Sequence, residues 1–82
     1  MQIFVNGESR EVPENLTLTA LLEWMKLPTD RVAVERNREI AARSTWDATL
    51  IQPDDRLEVV HFVGGGTDRS SLPAAHRQYR RL

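Results

Sequence analysis

The sequence predicts an α+β domain in which one main helix lies across a mixed sheet of four to five strands. Three observations carry this. An apolar alternation at the start is broken by Asn6-Gly7. Leu18, Leu21, Leu22 and Met25 recur at helical spacing. A closing apolar run from Leu57 to Val63 leads into three consecutive glycines. At 82 residues, one domain is the natural size, with room for one core and little for a deep enclosed cleft.

Ile3 and Val5 alternate with Gln2 and Phe4, which is strand periodicity. Asn6-Gly7 then marks a tight hairpin, because a type I′ turn needs positive φ at both central residues. Val12 closes the second strand ahead of Pro13. Thr17 is placed to cap a helix, its hydroxyl accepting from an unpaired backbone N–H. The stripe Leu18, Leu21, Leu22, Met25 gives that helix one apolar face, and Pro28 is the expected terminator. Arg31 to Glu35 reads as a third strand, Arg36-Asn37-Arg38 as a turn, and Ile40 as the start of a short return strand. Arg43 to Gln52 is irregular and carries Trp46, Leu50 and Ile51. Trp46 is expected to pack in the core or at the edge of the sheet, and Trp24 to sit partly exposed on the flank of the helix stripe. Pro53-Asp54-Asp55 is a turn, and aspartate can adopt left-handed geometry there at modest cost. Arg56 to Val63 is the last strand, with Leu57 and Val59 facing the core. The first and last strands should be central.

Composition narrows the function. The absence of cysteine removes thiolate metal sites and any cysteine nucleophile. His61 and His76 stand far apart with no ligand spacing around them, so no metal site is expected. No nucleophile–base pair is apparent, which argues against an independent enzyme. Through Gly66 there are 11 acidic and 7 basic residues, a charge of −4, whereas Thr67 to Leu82 carries +3. The acidic body argues against nucleic acid as the partner. No stretch approaches the roughly 20 apolar residues that span a bilayer, and no basic-then-apolar leader opens the chain. No membrane partner and a cytoplasmic location are the expectations. Glu23, Glu35, Glu39, Asp47, Asp54, Asp55 and Glu58 read as a solvated acidic surface.

Val5-Asn6-Gly7-Glu8, Leu18 to Leu22, Val34-Glu35-Arg36-Asn37, Arg43-Ser44-Thr45-Trp46, Asp55 to Val60 and His61-Phe62-Val63-Gly64-Gly65-Gly66 together resemble the ThiS family. These are ubiquitin-like β-grasp sulfur carriers of thiazole formation in thiamin biosynthesis. The likeness covers nearly all of residues 1–66; its most specific parts are the glycines after a strand and the Glu-x-Asn turn. The resemblance implies a protein co-substrate and not a catalyst. A ThiF-like adenylating enzyme, using ATP and magnesium, would activate the carboxylate of Gly66. A sulfur donor such as a cysteine desulfurase system would convert it to a thiocarboxylate. A ThiG-like thiazole synthase would take the sulfur. The carrier itself would bind no cofactor.

The residues suit that chemistry. Glycine has no Cβ, so Gly64 and Gly65 can pass through a narrow partner channel that a side chain would obstruct. A thiocarboxylate needs no cysteine. Val60 and Phe62 alternate with the core-facing residues, so they form a possible partner docking surface on the other face. His61 is more simply a packing residue. A plain linker role for the three glycines fits composition equally well, and it loses ground only beside the family-like body.

One feature departs from the family pattern. Sixteen residues, Thr67 to Leu82, follow Gly66, and an amide at Gly66 cannot be adenylated. The expected organisation is a carrier domain over 1–66 and a basic, disordered extension over 67–82 that a processing protease removes. Masking of the glycines, or a short helix over Ala74 to Leu82, are other uses of that extension. Two other functions stay open: a carrier for cysteine or molybdopterin synthesis, and a non-catalytic β-grasp interaction module. A module of that kind has no need of Gly64 to Gly66 at a releasable end.

Overall fold

The computed structural model describes residues 1–63 and 78–81. It has strands β1 (Gln2–Val5), β2 (Glu8–Glu11), β3 (Val32–Arg36), β4 (Glu39–Ile40), β5 (Arg56–Val63) and β6 (Gln78–Arg81), one α-helix, α1 (Leu18–Trp24), and a 3₁₀ helix over Arg43–Ala48. The main sheet runs β2-β1-β5-β3-β4, with β6 also paired to β5. β1 and β5 are parallel, and the other neighbours are antiparallel. The order of elements expected from the sequence is the one observed through β5, with β1 and β5 adjacent at the centre.

The first hairpin forms where its dipeptide requires. Asn6 and Gly7 have φ of 52° and 84°, and Val5 sits opposite Glu8. A second tight turn joins β3 to β4 through Asn37 and Arg38, both at positive φ. Asp54 takes φ 67°, and its N–H donates to the Gln2 carbonyl.

α1 starts as expected, with the Thr17 hydroxyl accepting from the Ala20 N–H at 3.1 Å. Its end differs from the expectation. Pro28 does not terminate it; the helix stops at Trp24, and Met25 is its cap. Lys26 turns left-handed at φ 60°. Its N–H returns to the Glu23 carbonyl, while the Leu27 N–H returns to Leu22. Those two bonds satisfy carbonyls that the helix leaves open, a geometry that usually falls to glycine. Lys26 is exposed, so Lys26→Gly should relieve the strain without losing packing. The expected gain is about 0.5–1 kcal/mol after the extra unfolded-state entropy of glycine is set against it. Thermal denaturation checks this, the melting temperature rising by several degrees.

The core lies between α1 and one face of the sheet. Leu18, Leu21 and Leu22 meet Ile3, Val5, Val32, Val34, Leu57 and Val59. Val12, Trp46 and Ile51 close its ends. Trp46 is buried and its indole N–H donates to the Ala41 carbonyl, whereas Trp24 is half exposed. The Arg43 guanidinium stacks 4.4 Å from the Trp46 ring centroid. It also donates to the carbonyls of Thr29 and Val32. The irregular stretch is thus tied to the start of β3 by one side chain.

The carboxyl-terminal extension differs from the sequence expectation at Gln78–Arg81. These residues are neither disordered nor helical; they form β6 against Val60–Val63. A short isolated helix is marginal in water. The edge of β5 beyond β1 offers unpaired backbone groups to an extended segment instead.

Candidate functional site

β5 is the element that leads to the glycines, and three side-chain amide or carboxylate groups fix it in place. Near its start, Asp55 is buried. Its Oδ2 accepts from Arg36 Nε at 2.9 Å and from the Gln52 N–H at 2.8 Å; its Oδ1 accepts from Asn37 Nδ2 at 3.0 Å. The Asn37 carbonyl oxygen in turn accepts from the Arg56 N–H at 2.9 Å. Burial pushes the Asp55 carboxyl up. The Gln52 N–H, the Asn37 amide and the Arg36 guanidinium together outweigh that, holding it below the ordinary value of 3.8. The expectation that Asp55 belongs to the solvated acidic surface is therefore corrected. Arg36 at the end of β3, Asn37 in the turn after it and the Gln52 N–H three residues before Asp55 supply three donors, and a buried carboxylate persists only when so satisfied.

Midway along β5, Asn6 reaches across from the first turn. Its Nδ2 donates to the Val59 carbonyl at 3.2 Å, and its Oδ1 accepts from the Val59 N–H at 2.8 Å. The side chain copies a strand neighbour and continues the edge of the sheet where β1 stops. Asn6, Asn37 and Asp55, all in the family-like stretches, thus serve to position β5.

The face of the sheet away from α1 carries a shallow groove of about 370 Å³, lined by Ala33, Val34, Glu35, Ile40, Glu58 and Val60. Val60 is half-buried there, on the face opposite Leu57 and Val59, as expected from alternation. Ile40 is 83% exposed, a large apolar side chain at the mouth of an apolar groove. Glu35 and Glu58 stand directly opposite each other, so two carboxylates border it. Arg56 covers the Phe4 ring, 4.6 Å from its centroid. Such a surface suits a partner with an apolar contact and basic groups beside it.

The other site residues from the sequence are placed as follows. Gly64, Gly65 and Gly66 lie outside the described residues. Phe62 is on β5, but the docking role assigned to its side chain lies outside the described residues. His61 is half-buried and carries the parity of Leu57 and Val59. The sequence reading missed Ala33 and Ile40. The alternation over Val32-Ala33-Val34 could have placed Ala33 on the outer face. Ile40 needed the register of a two-residue strand, Glu35 opposite Ile40. Among the described residues, no group of three or more His, Cys, Asp or Glu side chains is disposed to hold a metal, and no helix is long and apolar enough to cross a membrane.

One α-helix packed on a mixed sheet whose parallel pair β1 and β5 lies at its centre defines, among the described residues, an α+β domain of ubiquitin-like fold. The model of the ThiS family matches residues 3–66, and the chain belongs to that family. A crystal structure of the thiamine biosynthesis protein ThiS from Geobacter metallireducens superimposes with a TM-score of 0.71 at 38% identity, covering 80% of this chain and 100% of that one. The sulfur carrier protein ThiS of Bacillus subtilis is 40% identical over 50 residues, 61% of this chain and 76% of that protein. A thiazole synthase of Magnetococcus marinus is 44% identical over 66 residues, which is 80% of this chain and 20% of that protein. A second, from Paramagnetospirillum magneticum, is 39% identical over 70 residues. The chain spans about a fifth of the length of these two synthases.

Proposed function

We propose that this chain is a sulfur carrier of thiamine biosynthesis whose working group is the Gly66 carboxylate, converted to a thiocarboxylate. The observation that carries the proposal is the extent of the family match, residues 3–66, which ends on the last of the three glycines. The likeness to thiazole synthases favours thiazole formation over cysteine or molybdopterin synthesis as the destination of the sulfur. It also suits a ThiG-like synthase as the acceptor.

The Gly66 carboxylate attacks the α-phosphorus of ATP on a ThiF-like enzyme that holds magnesium, and pyrophosphate leaves. A persulfide from a cysteine desulfurase system then attacks the acyl carbon and AMP leaves; a thiol next attacks the far sulfur of the resulting acyl disulfide, forming a new disulfide and releasing the thiocarboxylate. The carrier supplies no catalytic side chain. It presents an end narrow enough to enter the partner, with Gly64 and Gly65 in the channel. The groove at Val60 and Ile40 offers the docking surface, with Phe62 next along the strand. This chemistry belongs to the cytoplasm, where ATP is available. It requires that the amide between Gly66 and Thr67 first be cut, which separates residues 1–66 from 67–82.

The test uses the chain ended at Gly66, incubated with its adenylating enzyme, ATP and magnesium and read by intact mass. The Gly66-ended chain should form the acyl-adenylate and, with the donor present, exchange one oxygen for sulfur. The chain through Leu82 should form neither. Gly66→Ala in the shortened chain should slow loading on the order of 10²-fold, the scale of a small misplacement at a reacting centre. No adduct on the shortened chain, with an enzyme shown to be active, would leave a non-catalytic interaction module as the better description. Protein from the native host that always retained residues 67–82 would also refute the proposal.

A further inference from the structure

β5 is longer than the strands that cover it. β1 pairs with it at Arg56 and Leu57, and the Asn6 amide takes Val59 on the same edge. β3 covers the opposite edge from Leu57 to His61. Val60 and His61 are paired both with β3 and with Arg81 and Arg80 of β6. A strand has only two edges, so β6 lies on the β1 edge, following the Asn6-Gly7 turn. Alternation decides which groups face it. The carbonyls of Asp55 and Leu57 accept from Phe4 and Asn6, and Val59 faces Asn6. His61 and Val63 share that parity. Their N–H and C=O groups therefore face β6, opposite Arg80 and Gln78.

We propose that the His61–Val63 edge of β5 is a strand-docking site, that Gln78–Arg81 is its intramolecular occupant, and that this occupancy excludes an extended segment of a partner protein. Main-chain pairing of this kind accepts an extended peptide with little regard to sequence. The exclusion of a partner rests on the carrier function proposed above; the docking site does not. Val63 and Gln78 stand opposite each other, so β6 pairs with β5 right up to the strand's last residue. On the carrier reading, two features stand against entry into a partner, the amide between Gly66 and Thr67 and the β6 pairing on Val60–Val63. One cut after Gly66 releases both. It frees the acid, and it turns β6 from a tethered ligand into a separate peptide that loses its effective concentration.

The experiment compares three chains by NMR amide exchange: residues 1–82, the same chain with Arg80→Pro, and the chain ended at Gly66. Proline at 80 removes the N–H that faces the His61 carbonyl. In the second and third chains the His61 and Val63 amides should exchange at least about tenfold faster, as opened edge groups do. Glu58 and Val60, which face β3, should be unchanged and report that the domain remains folded. Equal His61 and Val63 rates in all three chains would overturn the docking site. Affinity for the adenylating enzyme tests exclusion. Arg80→Pro in the full chain should bind at least about fivefold tighter than the unaltered full chain, since its tethered competitor is disabled. Equal affinity of these two, including no binding by either, would overturn the exclusion. Failure of the carrier function has a different signature: no adenylate on the Gly66-ended chain, with the exchange contrast intact.

Discussion

Asp55→Asn should destabilise the domain by about 2–4 kcal/mol, the scale of a buried carboxylate losing its ion pair and a charged hydrogen bond. For a domain this small that corresponds to a fall in melting temperature of about 10–25 °C. The cause is donor against donor. Asp55 receives three donors, from Arg36, Gln52 and Asn37, and an Asn amide can offer an acceptor to only one side. If its oxygen keeps Arg36 and Gln52, its NH₂ faces the Asn37 NH₂. Asn37 cannot turn over freely, because its oxygen accepts from the Arg56 N–H. The pH dependence has a definite sign. The folded-state carboxyl is held below 3.8, so its stabilisation is fully present above the unfolded-state pKa. It is lost as pH falls through the folded value. Melting curves of both proteins should lie far apart at neutral pH and converge in acid below that value. A gap that stayed constant into acid would show that the Asp55 charge contributes nothing.

Asn6→Ala should cost about 2–4 kcal/mol, and Asn6→Gly clearly less. Two effects combine in the alanine variant. Asn6 sits at φ 52°, where a Cβ-bearing residue that lacks asparagine's local hydrogen bonding is penalised by about 1–2 kcal/mol. Val59 is fully buried, and its N–H and C=O both lose the Asn6 amide, a desolvation loss of about 1–3 kcal/mol. Glycine removes the first penalty and keeps the second. The difference between the two variants in chemical denaturation thus separates turn strain from strand clamping. Equal losses in both would mean that the turn carries no strain.

These two residues mark where the sequence was readable and where it was not. The Asn6-Gly7 turn, the Thr17 cap, the turn at Pro53 to Asp55 and the apolar parity of Leu57 and Val59 were all legible. Each depends on φ preferences, on a hydroxyl three residues from its donor, or on side-chain alternation. The second job of Asn6 was hidden, because Val59 is 53 residues away. The burial of Asp55 was hidden for the same reason; a charge in a turn signal reads as solvated until sheet register brings Arg36 and Asn37 beside it. The early end of α1 at Trp24 was masked by Pro28, a stronger signal than a lysine in a glycine-like conformation. At the candidate site, alternation placed Val60 on the outer face, but the neighbours Ala33 and Ile40 needed the β3–β4 and β3–β5 registers.

By itself, then, the order of residues determined the fold class, the family likeness and the hydrophobic core, since these follow from local periodicity and composition. Tertiary structure alone decided how the edge of β5 is shared. Asn6 fills it at Val59 and Gln78–Arg81 from Val60 onward, because backbone groups left exposed by a short neighbouring strand pair with whatever the folded chain brings alongside. No local pattern states which segment that will be.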